Sequence, residues 1–375
     1  MALLNRSLKL VLTTLLLLSL SSLGRMPVAQ AMPLLPGSSV QPLVAYLPPG
    51  NAITNGKALL RYSLPIDNDE IRKVQRTLEG LSEWLRSKRW GPVKKDITTV
   101  ERTLNRKGDQ ILAAVTPEHK AAAEALIASL SADLEGMRTA LEARDREAIW
   151  EIRDQMLDQV GEIESYMVKG FPYEVDAAYA DRPLLKGRAA VEITTSQGPV
   201  TVVVDGYSAP VTGGNFVDLV QRGFYDGLPF IRAEDFYVLQ TGDPEGPDEG
   251  FIDPKTKEYR AVPLEILVKG DTQPVYGETL EALGRYMDDP VLPFSAYGTV
   301  AMARPEENPN GGSSQFFFFL FEPELTPAGL NLLDGRYSVF GYVTKGKEIL
   351  REIKQGDRVE SAKVVSGQEN FVTPS

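Results

Sequence analysis

One arginine and two glutamines stand among aromatic and apolar residues in the C-terminal half of this chain. The cluster consists of Phe230, Arg232, Tyr237, Gln240, Met302, Ala303, Gln315, Phe317 and Leu333. Guanidinium and amide groups donate hydrogen bonds without exchanging protons at neutral pH, so such a set can hold and polarise a bound amide without an acid, base or nucleophile. An arginine among apolar residues is also typical of a structural ion pair. Composition alone leaves both interpretations open.

Other common chemistries lack the residues that they require. The chain has one histidine and no cysteine, which argues against a metal site built from those side chains and excludes thiol chemistry. A serine triad would need His119, which is predicted at the start of a surface helix in the other half of the chain. We therefore expect no metal site of this kind and no catalytic triad.

The acidic stretch 242–254 is the remaining candidate for a metal. Four of its carboxylates could ligate calcium: Asp243, Glu245, Asp248 and Asp253. They lack the alternating ligand order of an EF-hand loop, which favours a solvated loop instead. The formal net charge is −11, and such an acidic surface repels nucleic acid phosphates. We expect no metal, no small-molecule cofactor and no nucleic acid partner.

Several short segments carry a family resemblance. "FIRAEDFYVLQTGD" at 230–243 places an arginine eight residues before a glutamine and then Gly-Asp, and it is followed by "AMA" at 301–303, "GGSSQFF" at 311–317, "LDG" at 333–335 and "VFG" at 339–341. These segments resemble, in the same order, those of the cyclophilins, which are peptidyl-prolyl cis-trans isomerases. The resemblance covers about residues 187–365 and implies an eight-stranded antiparallel β-barrel capped by helices.

The resemblance also implies a mechanism and a substrate, a proline-containing polypeptide segment. Rotation about an X-Pro amide faces a barrier of about 18–20 kcal/mol, and a site lowers it by binding the twisted amide. By resemblance Arg232 donates to the prolyl nitrogen, Gln240 holds the substrate carbonyl, and Phe317 lines the proline pocket. The other residues implied to contact substrate are Phe230, Tyr237, Val238, Met302, Ala303, Gln315, Leu332, Leu333 and Tyr337.

The chain departs from the family pattern in its pocket. Tyr237, Val238, Leu332 and Tyr337 replace the family's pocket residues, and Arg304 stands where the family has asparagine after Met-Ala. The segment between Asp243 and Met302 is also about twenty-five residues longer than in minimal cyclophilins, by that comparison. A catalytically weak or inactive scaffold or chaperone, which binds proline segments or a membrane complex and is regulated by a helical domain, is therefore the alternative to an isomerase.

The elements that must position these residues follow from periodicity. On a strand, Phe316 and Phe318 should fill the barrel interior while Phe317 and Phe319 face outward. Earlier in the chain, Ile71, Val74, Leu78, Leu81 and Leu85 recur at helical spacing, and three further amphipathic segments complete a predicted four-helix bundle.

The predicted organisation has five parts. They are a signal peptide at 1–31, a proline-rich arm at 32–64, a helical bundle at 65–169, a linker at 170–186 and the cyclophilin-like domain at 187–375. The basic start, apolar run and Ala-Gln-Ala triplet of the first part are typical of a cleavable secretory signal, and an uncleaved anchor is the alternative. This order resembles the thylakoid-lumen cyclophilins, which are implicated in photosystem II assembly and maintenance. It implies export to a thylakoid lumen or periplasm, with photosystem II subunits as candidate partners.

Overall fold

The structure is a computed structural model that describes residues 53–321 and 332–373. The predicted signal peptide and most of the predicted arm lie outside these residues. Within the two described ranges, no helix combines the length and apolar character needed to cross a bilayer. The described chain contains a helical region followed by a curled antiparallel sheet.

Five helices form the N-terminal region. They are α1 (Gly56–Ser63), α2 (Asp69–Arg86), α3 (Trp90–Ala114), α4 (Lys120–Ala143, preceded by the 3-10 turn Pro117–His119) and α5 (Arg146–Ser165). Helices α2 to α5 each pack on the next, and α5 returns to α2, which gives the predicted four-helix bundle. The side chains of Asn68 and Asp145 cap α2 and α5 by accepting backbone N–H bonds. The apolar stripe of α2 is fully buried.

Helix α1 was not anticipated, because it lies in the segment expected to be an extended arm. Its Leu59 and Leu60 are buried in a cluster with Tyr342 of the sheet. The Ser63 hydroxyl donates to Asp205 over 2.6 Å. Arg188 binds the same carboxylate and the carbonyl of Leu60. Residues 56–63 are therefore not a linker but the element that joins the bundle to the sheet.

The sheet has eight antiparallel strands, which are β2 (Arg188–Thr195), β3 (Gly198–Asp205), β4 (Arg232–Glu234), β5 (Val238–Thr241), β8 (Thr299–Met302), β9 (Phe316–Phe319), β10 (Val339–Lys345) and β11 (Val359–Ser366). Their order across the sheet is β11-β2-β3-β10-β8-β9-β5-β4. The two edges meet through a bridge between Pro229 and Arg358 and the bond from Phe230 N to Asp357 O. The sheet thus curls into a cyclophilin-like barrel.

Smaller elements complete the domain. They are β1 (Leu184–Leu185) paired with β12 (Phe371–Val372), the hairpin β6 (Glu265–Ile266) and β7 (Val275–Tyr276), the helix α6 (Pro210–Gln221), and three 3-10 turns at Ala177–Tyr179, Ile349–Arg351 and Gln368–Asn370. Helix α6 is buried over nearly its whole length against the barrel core. The resemblance implies a barrel capped by helices, and in the described residues 187–321 and 332–373 the α-helix is α6, whereas Ile349–Arg351 forms only a 3-10 turn.

The four phenylalanines of β9 alternate as predicted. Phe316 and Phe318 belong to the barrel core, where Phe316 packs edge-on against Phe216 of α6. Phe317 and Phe319 belong to a second cluster on the outer face of the barrel. The strand carries aromatic rings on both faces because one face packs in the barrel core and the other packs in the outer cluster.

The long segment between β5 and β8 covers part of this outer face. Its Phe294 stacks on Phe317 and meets Phe319 edge-on. The segment is fastened to the start of α6 by Glu265, whose carboxylate accepts from the N–H groups of Val211 (3.1 Å) and Thr212 (2.8 Å). The insertion is therefore an ordered wall of the barrel and supplies a ring to the outer cluster.

Candidate functional site

A groove of about 330 Å³ opens on the outer face of the barrel beside β5 and β9. It is lined by Arg232, Tyr237, Val238, Gln240, Glu249, Tyr259, Ala303, Arg304, Pro305, Gly311, Ser313, Gln315, Phe317, Leu333 and Tyr337. Strand pairing brings its central residues together, because Arg232 is opposite Gln240 and Gln240 is opposite Phe317. The sheet register thus places a guanidinium, an amide and an aromatic ring in one row.

Arg232 is held at the edge of this row by two neighbours. Its Nε donates to Glu234 Oε1 over 2.6 Å, and its guanidinium lies 5.5 Å from the centre of the Tyr237 ring. The Glu234 carboxylate raises the pKa of Arg232, and Arg232 lowers the pKa of Glu234. Both side chains are about half exposed, at 46% and 50%, so solvent screens the pair.

The ion pair leaves most of the donors of Arg232 available. Only Nε is engaged, and in the described ranges neither Nη group makes a hydrogen bond. A guanidinium has five N–H donors in a planar fork, so four remain for a ligand in the groove. The structural ion pair and the ligand-binding arginine, which the sequence left as alternatives, are thus compatible in one residue.

The two glutamines form a relay along the groove floor. Gln240 Nε2 donates to Gln315 Oε1 over 2.7 Å, and Gln315 Nε2 donates to Asp243 Oδ1 and to the carbonyl of Glu249, each over 2.9 Å. Desolvation and the nearby charge of Glu249 raise the pKa of Asp243. Because the acidic end fixes the amide of Gln315, the orientation of Gln240 is fixed as well.

An apolar hollow lies beside the relay. Phe317 is 6% exposed at its floor, and the Tyr337 ring stands perpendicular to it with centroids 5.5 Å apart. Val238 and Leu333 belong to the same outer cluster. A small apolar ring such as that of proline would find hydrophobic surface on several sides here.

Arg304 organises the rim of this hollow. Its guanidinium lies 5.0 Å from the centre of the Tyr337 ring and donates to the carbonyls of Arg336, Pro305 and Glu306. Burial lowers the pKa of Arg304. The residue that replaces the family's asparagine therefore ties the turn after Leu333 to the end of β8.

Three residues expected to contact substrate do not line the groove. Phe230 is fully buried in the barrel core, where it packs near Phe318. Met302 also points into the core, because alternation along β8 turns Ala301 outward and Met302 inward. Leu332 is 90% exposed at the surface. The structure therefore places Phe230 and Met302 in the barrel core and Leu332 in an exposed turn.

The other residues that the sequence analysis assigned to the site lie together around the groove. Tyr237, Val238, Ala303, Gln315, Leu333 and Tyr337 all line the groove with Arg232, Gln240 and Phe317. His119 lies in the bundle, where its ring stacks on Tyr166 with centroids 4.4 Å apart. In the parts of the chain that the structure describes, no three acidic or histidine side chains cluster as a metal site would require.

Sequence reasoning missed residues that shape the groove. Glu234 could have been found, since residues two apart on a strand share a face. Glu249, Tyr259 and Ser313 come from loops whose paths no periodicity predicts. Phe294 stacks behind Phe317 from the insertion, and no signal in a single sequence ties the two rings together.

Comparisons with known proteins match both halves of the chain. Residues 55–168 match the family described as "Peptidyl-prolyl cis-trans isomerase CYP38-like, PsbQ-like domain". Residues 190–369 match the family described as "Cyclophilin type peptidyl-prolyl cis-trans isomerase/CLD". The helical region and the barrel therefore each correspond to a described family.

Two relatives match over nearly the whole chain. A Synechocystis protein named as a thylakoid lumen peptidyl-prolyl cis-trans isomerase is 54% identical, over 98% of this chain and 96% of its own length. The chloroplastic isomerase CYP38 of Arabidopsis thaliana is 46% identical, over 96% of this chain and 84% of its own length. A crystal structure of a Cryptosporidium parvum cyclophilin aligns with 47% of this chain and 99% of its own, at 21% identity and a TM-score of 0.34.

Proposed function

Because this chain belongs to the cyclophilin-type peptidyl-prolyl cis-trans isomerases, we propose that the outer groove isomerises X-Pro bonds with Arg232 as the hydrogen-bond donor to the prolyl nitrogen. The observation that carries the assignment is the free Nη side of Arg232, which lies two strands away from the buried ring of Phe317, with Gln240 of β5 between them. The substrate is a proline-containing polypeptide segment.

The proposed reaction needs no proton transfer and no covalent intermediate. As the C–N bond twists, amide delocalisation is lost and the prolyl nitrogen becomes able to accept a hydrogen bond. A donor aimed at that nitrogen stabilises the twisted amide more than the planar one, which lowers the barrier. Arg232 supplies the donor from its Nη side, since its Nε is bound to Glu234 and the Tyr237 ring lies 5.5 Å from the guanidinium.

The other groove residues hold the two sides of the bond. The ring of Phe317, with Val238, Leu333 and Tyr337 around it, takes the proline side chain. Gln240, fixed through Gln315, is the partner for the carbonyl of the preceding residue. One side of the bond is thereby clamped while the other rotates, which is the positioning that such a reaction requires.

The names of two relatives support a proposal about the cellular setting. One is named for the thylakoid lumen and another for the chloroplast, so we place this chain in a thylakoid lumen, with assembling lumen-exposed proteins as its clients. Photosystem II subunits are the candidates, through the family resemblance. The organisation proposed from the sequence, with a removable signal at 1–31 and the domain at 187–375, is consistent with export to that compartment.

A binding protein without turnover is the second candidate. The observation that favours it is the 2.6 Å pair between Arg232 and Glu234, because a nearby carboxylate offsets part of the field of the guanidinium and weakens it as an electrostatic stabiliser. In that case the groove would still hold proline segments, while the barrier to rotation would stay unchanged.

Exchange NMR on a short Ala-Pro peptide distinguishes the two functions. We expect the full chain to accelerate cis-trans exchange and Arg232→Ala to lower kcat/KM at least tenfold, equivalent to ~1.4 kcal/mol of transition-state stabilisation. Arg102→Ala, at an exposed position of α3, is the matched control and should leave turnover unchanged. Peptide binding without any acceleration by the wild-type chain would favour the second function.

A further inference from the structure

A second large cleft lies between the bundle and the barrel, and it shares no lining residue with the outer groove. It encloses about 790 Å³ between α1, α2, α5 and the end of β10. Its charged lining consists of Lys57, Arg61, Arg76, Glu79, Arg86, Arg153, Asp154, Asp158 and Lys347. Six of these are cations and three are acids, although the chain as a whole carries a net charge of −11.

Each acid of the cleft is already paired with one of the cations. Glu79 binds Arg61, Asp154 binds Arg153, and Asp158 binds Lys57. Glu79 is saturated further, because its two oxygens also accept from Tyr62 and Gln75. Every carboxylate that lines the cleft therefore already has a cationic partner.

Three cations of the cleft remain without a partner. In the described ranges, Arg76, Arg86 and Lys347 make no salt bridge and no side-chain hydrogen bond. Lys347 is partly buried, and its pKa is lowered by burial and by the charge of Lys57. Residues 32–52, which precede the cleft in the chain, contain no acidic side chain. The cleft thus concentrates positive charge that its own surroundings do not balance.

From this geometry we propose that the cleft binds an acidic segment of a partner polypeptide, in extended form. Arg76 and Arg86 are ten residues apart on α2, which corresponds to about 15 Å along a helix. An extended chain of about five residues spans the same distance at ~3.4 Å per residue. A single small anion reaches one or two cations, whereas consecutive carboxylates reach all three.

The recess favours a peptide over a membrane surface. Arg76 and Arg86 are exposed on the bundle, whereas Lys347, just after β10 of the barrel, is partly buried. A ligand must therefore enter the cleft to touch all three cations, and a flat lipid surface would contact the protruding arginines without reaching the lysine. The aromatic side chains of Tyr62 and Trp150, the latter under Arg153, add apolar contact area for a peptide backbone.

Fluorescence polarisation with a labelled hexaglutamate peptide tests the site on the full chain. We expect saturable binding that weakens with salt and is absent for labelled hexaglutamine. The triple variant Arg76→Gln, Arg86→Gln, Lys347→Gln should weaken binding at least about tenfold. The matched triple Lys94→Gln, Arg102→Gln, Arg106→Gln removes the same charge outside the cleft and should change Kd less than twofold.

Three results would overturn the proposal. Equal weakening by the two triple variants would show attraction to overall charge and not to the cleft. Displacement of the peptide by inorganic phosphate at an equal concentration of charges would show a small-anion site. Binding of phosphatidylglycerol vesicles in place of the peptide would show a membrane surface. Unchanged turnover of the Ala-Pro peptide by the cleft variant verifies its folding and keeps this test independent of the outer groove.

Discussion

Phe294 stacks on Phe317 with ring centroids 6.0 Å apart and planes inclined by 9°. The first ring comes from the insertion and the second from β9, so the insertion forms the back of the proline hollow. Phe294 also meets Phe319 and Tyr337 edge-on. The floor of the groove is therefore a contact between two distant segments of the chain.

Removal of the Phe294 ring should damage both stability and turnover. Phe294→Ala leaves a cavity behind Phe317, and we expect a loss of about 3–5 kcal/mol in the free energy of unfolding. Phe294→Leu keeps most of the volume and should cost less, so that its effect on Ala-Pro turnover can be measured in folded protein. We expect a fall in kcat/KM for Phe294→Leu, measured by exchange NMR beside denaturant unfolding.

Tyr286→Ala is the control for that experiment. Tyr286 lies in the same insertion but is 70% exposed, so its truncation should leave both unfolding and turnover unchanged. A Phe294→Leu protein with wild-type kcat/KM would contradict the role of the insertion in shaping the hollow.

Removal of the Glu234 carboxylate, which pairs with Arg232, should raise the isomerase activity. Glu234→Gln removes the carboxylate at 2.6 Å, so its negative charge no longer offsets the field of the guanidinium in the groove. We expect kcat/KM for an Ala-Pro peptide to rise about threefold to tenfold at low ionic strength, since solvent already screens the exposed pair. Because Arg232 lowers the pKa of Glu234, the pair persists in mildly acidic solution, and the ratio of variant to wild type should be equal at pH 6 and pH 8.

Asp235→Asn is the control for this experiment, because it removes one negative charge from the residue that follows Glu234. Asp235 is more exposed and lies 3.6 Å from Lys354 instead of Arg232, so turnover should stay within twofold of wild type. A fall in kcat/KM for Glu234→Gln would instead mean that the carboxylate is needed to orient the guanidinium.

Local spacing accounts for the part of this structure that the sequence could predict. Alternation along β9 placed Phe316 and Phe318 inside and Phe317 and Phe319 outside, because a strand has a strict two-residue period. The buried apolar face of α2 could also be predicted from the sequence, since residues three to four apart lie on the same face of a helix. Each of these features is contained within one element.

Contacts between distant segments were not predictable in the same way. Helix α1 is short, and its place is set by Tyr342, far along the chain, so no local pattern marks it. Phe294 likewise belongs to a segment with little regular structure and meets Phe317 only in the folded state. Phe230 and Met302 show the converse, because a family pattern includes core residues beside the residues that line the groove.

The buried carboxyl of Glu265 should make the free energy of unfolding depend on pH. Burial raises the pKa of this carboxyl to about 7, although the N–H groups of Val211 and Thr212 act in the opposite direction. Its pKa in the unfolded chain is ~4.3. A raised native pKa gives a stabilising contribution that is complete below the unfolded pKa and is lost as the pH rises toward the native one.

Glu265→Gln imitates the protonated side chain and should remove that loss. Relative to wild type, the variant is expected to gain about 2–3 kcal/mol in the free energy of unfolding as the pH rises from 5 to 8. Urea unfolding at several pH values provides the measurement. Glu278→Gln, exposed in the same insertion, should show no pH-dependent difference. A difference for Glu265→Gln that does not change with pH would show that the two N–H groups keep the carboxylate ionised.

The contact between α1 and the barrel predicts opposite effects for two glycine substitutions. A Cβ at Gly56 would lie 2.8 Å from Cβ of Tyr342, an atom next to the backbone that has little freedom to move, whereas a Cβ at Gly108 of α3 would meet nothing within 4 Å. Gly56→Ala should therefore lower the free energy of unfolding by about 1–3 kcal/mol through overpacking. Gly108→Ala should raise it by about 0.5–1 kcal/mol, because alanine is the better helix former. Hydrogen exchange of the α1 amides shows where the effect lies. If the contact with β10 holds α1 in place, exchange should be faster in Gly56→Ala and unchanged in Gly108→Ala. Equal protection of the α1 amides in both variants would mean that the bundle holds α1 instead.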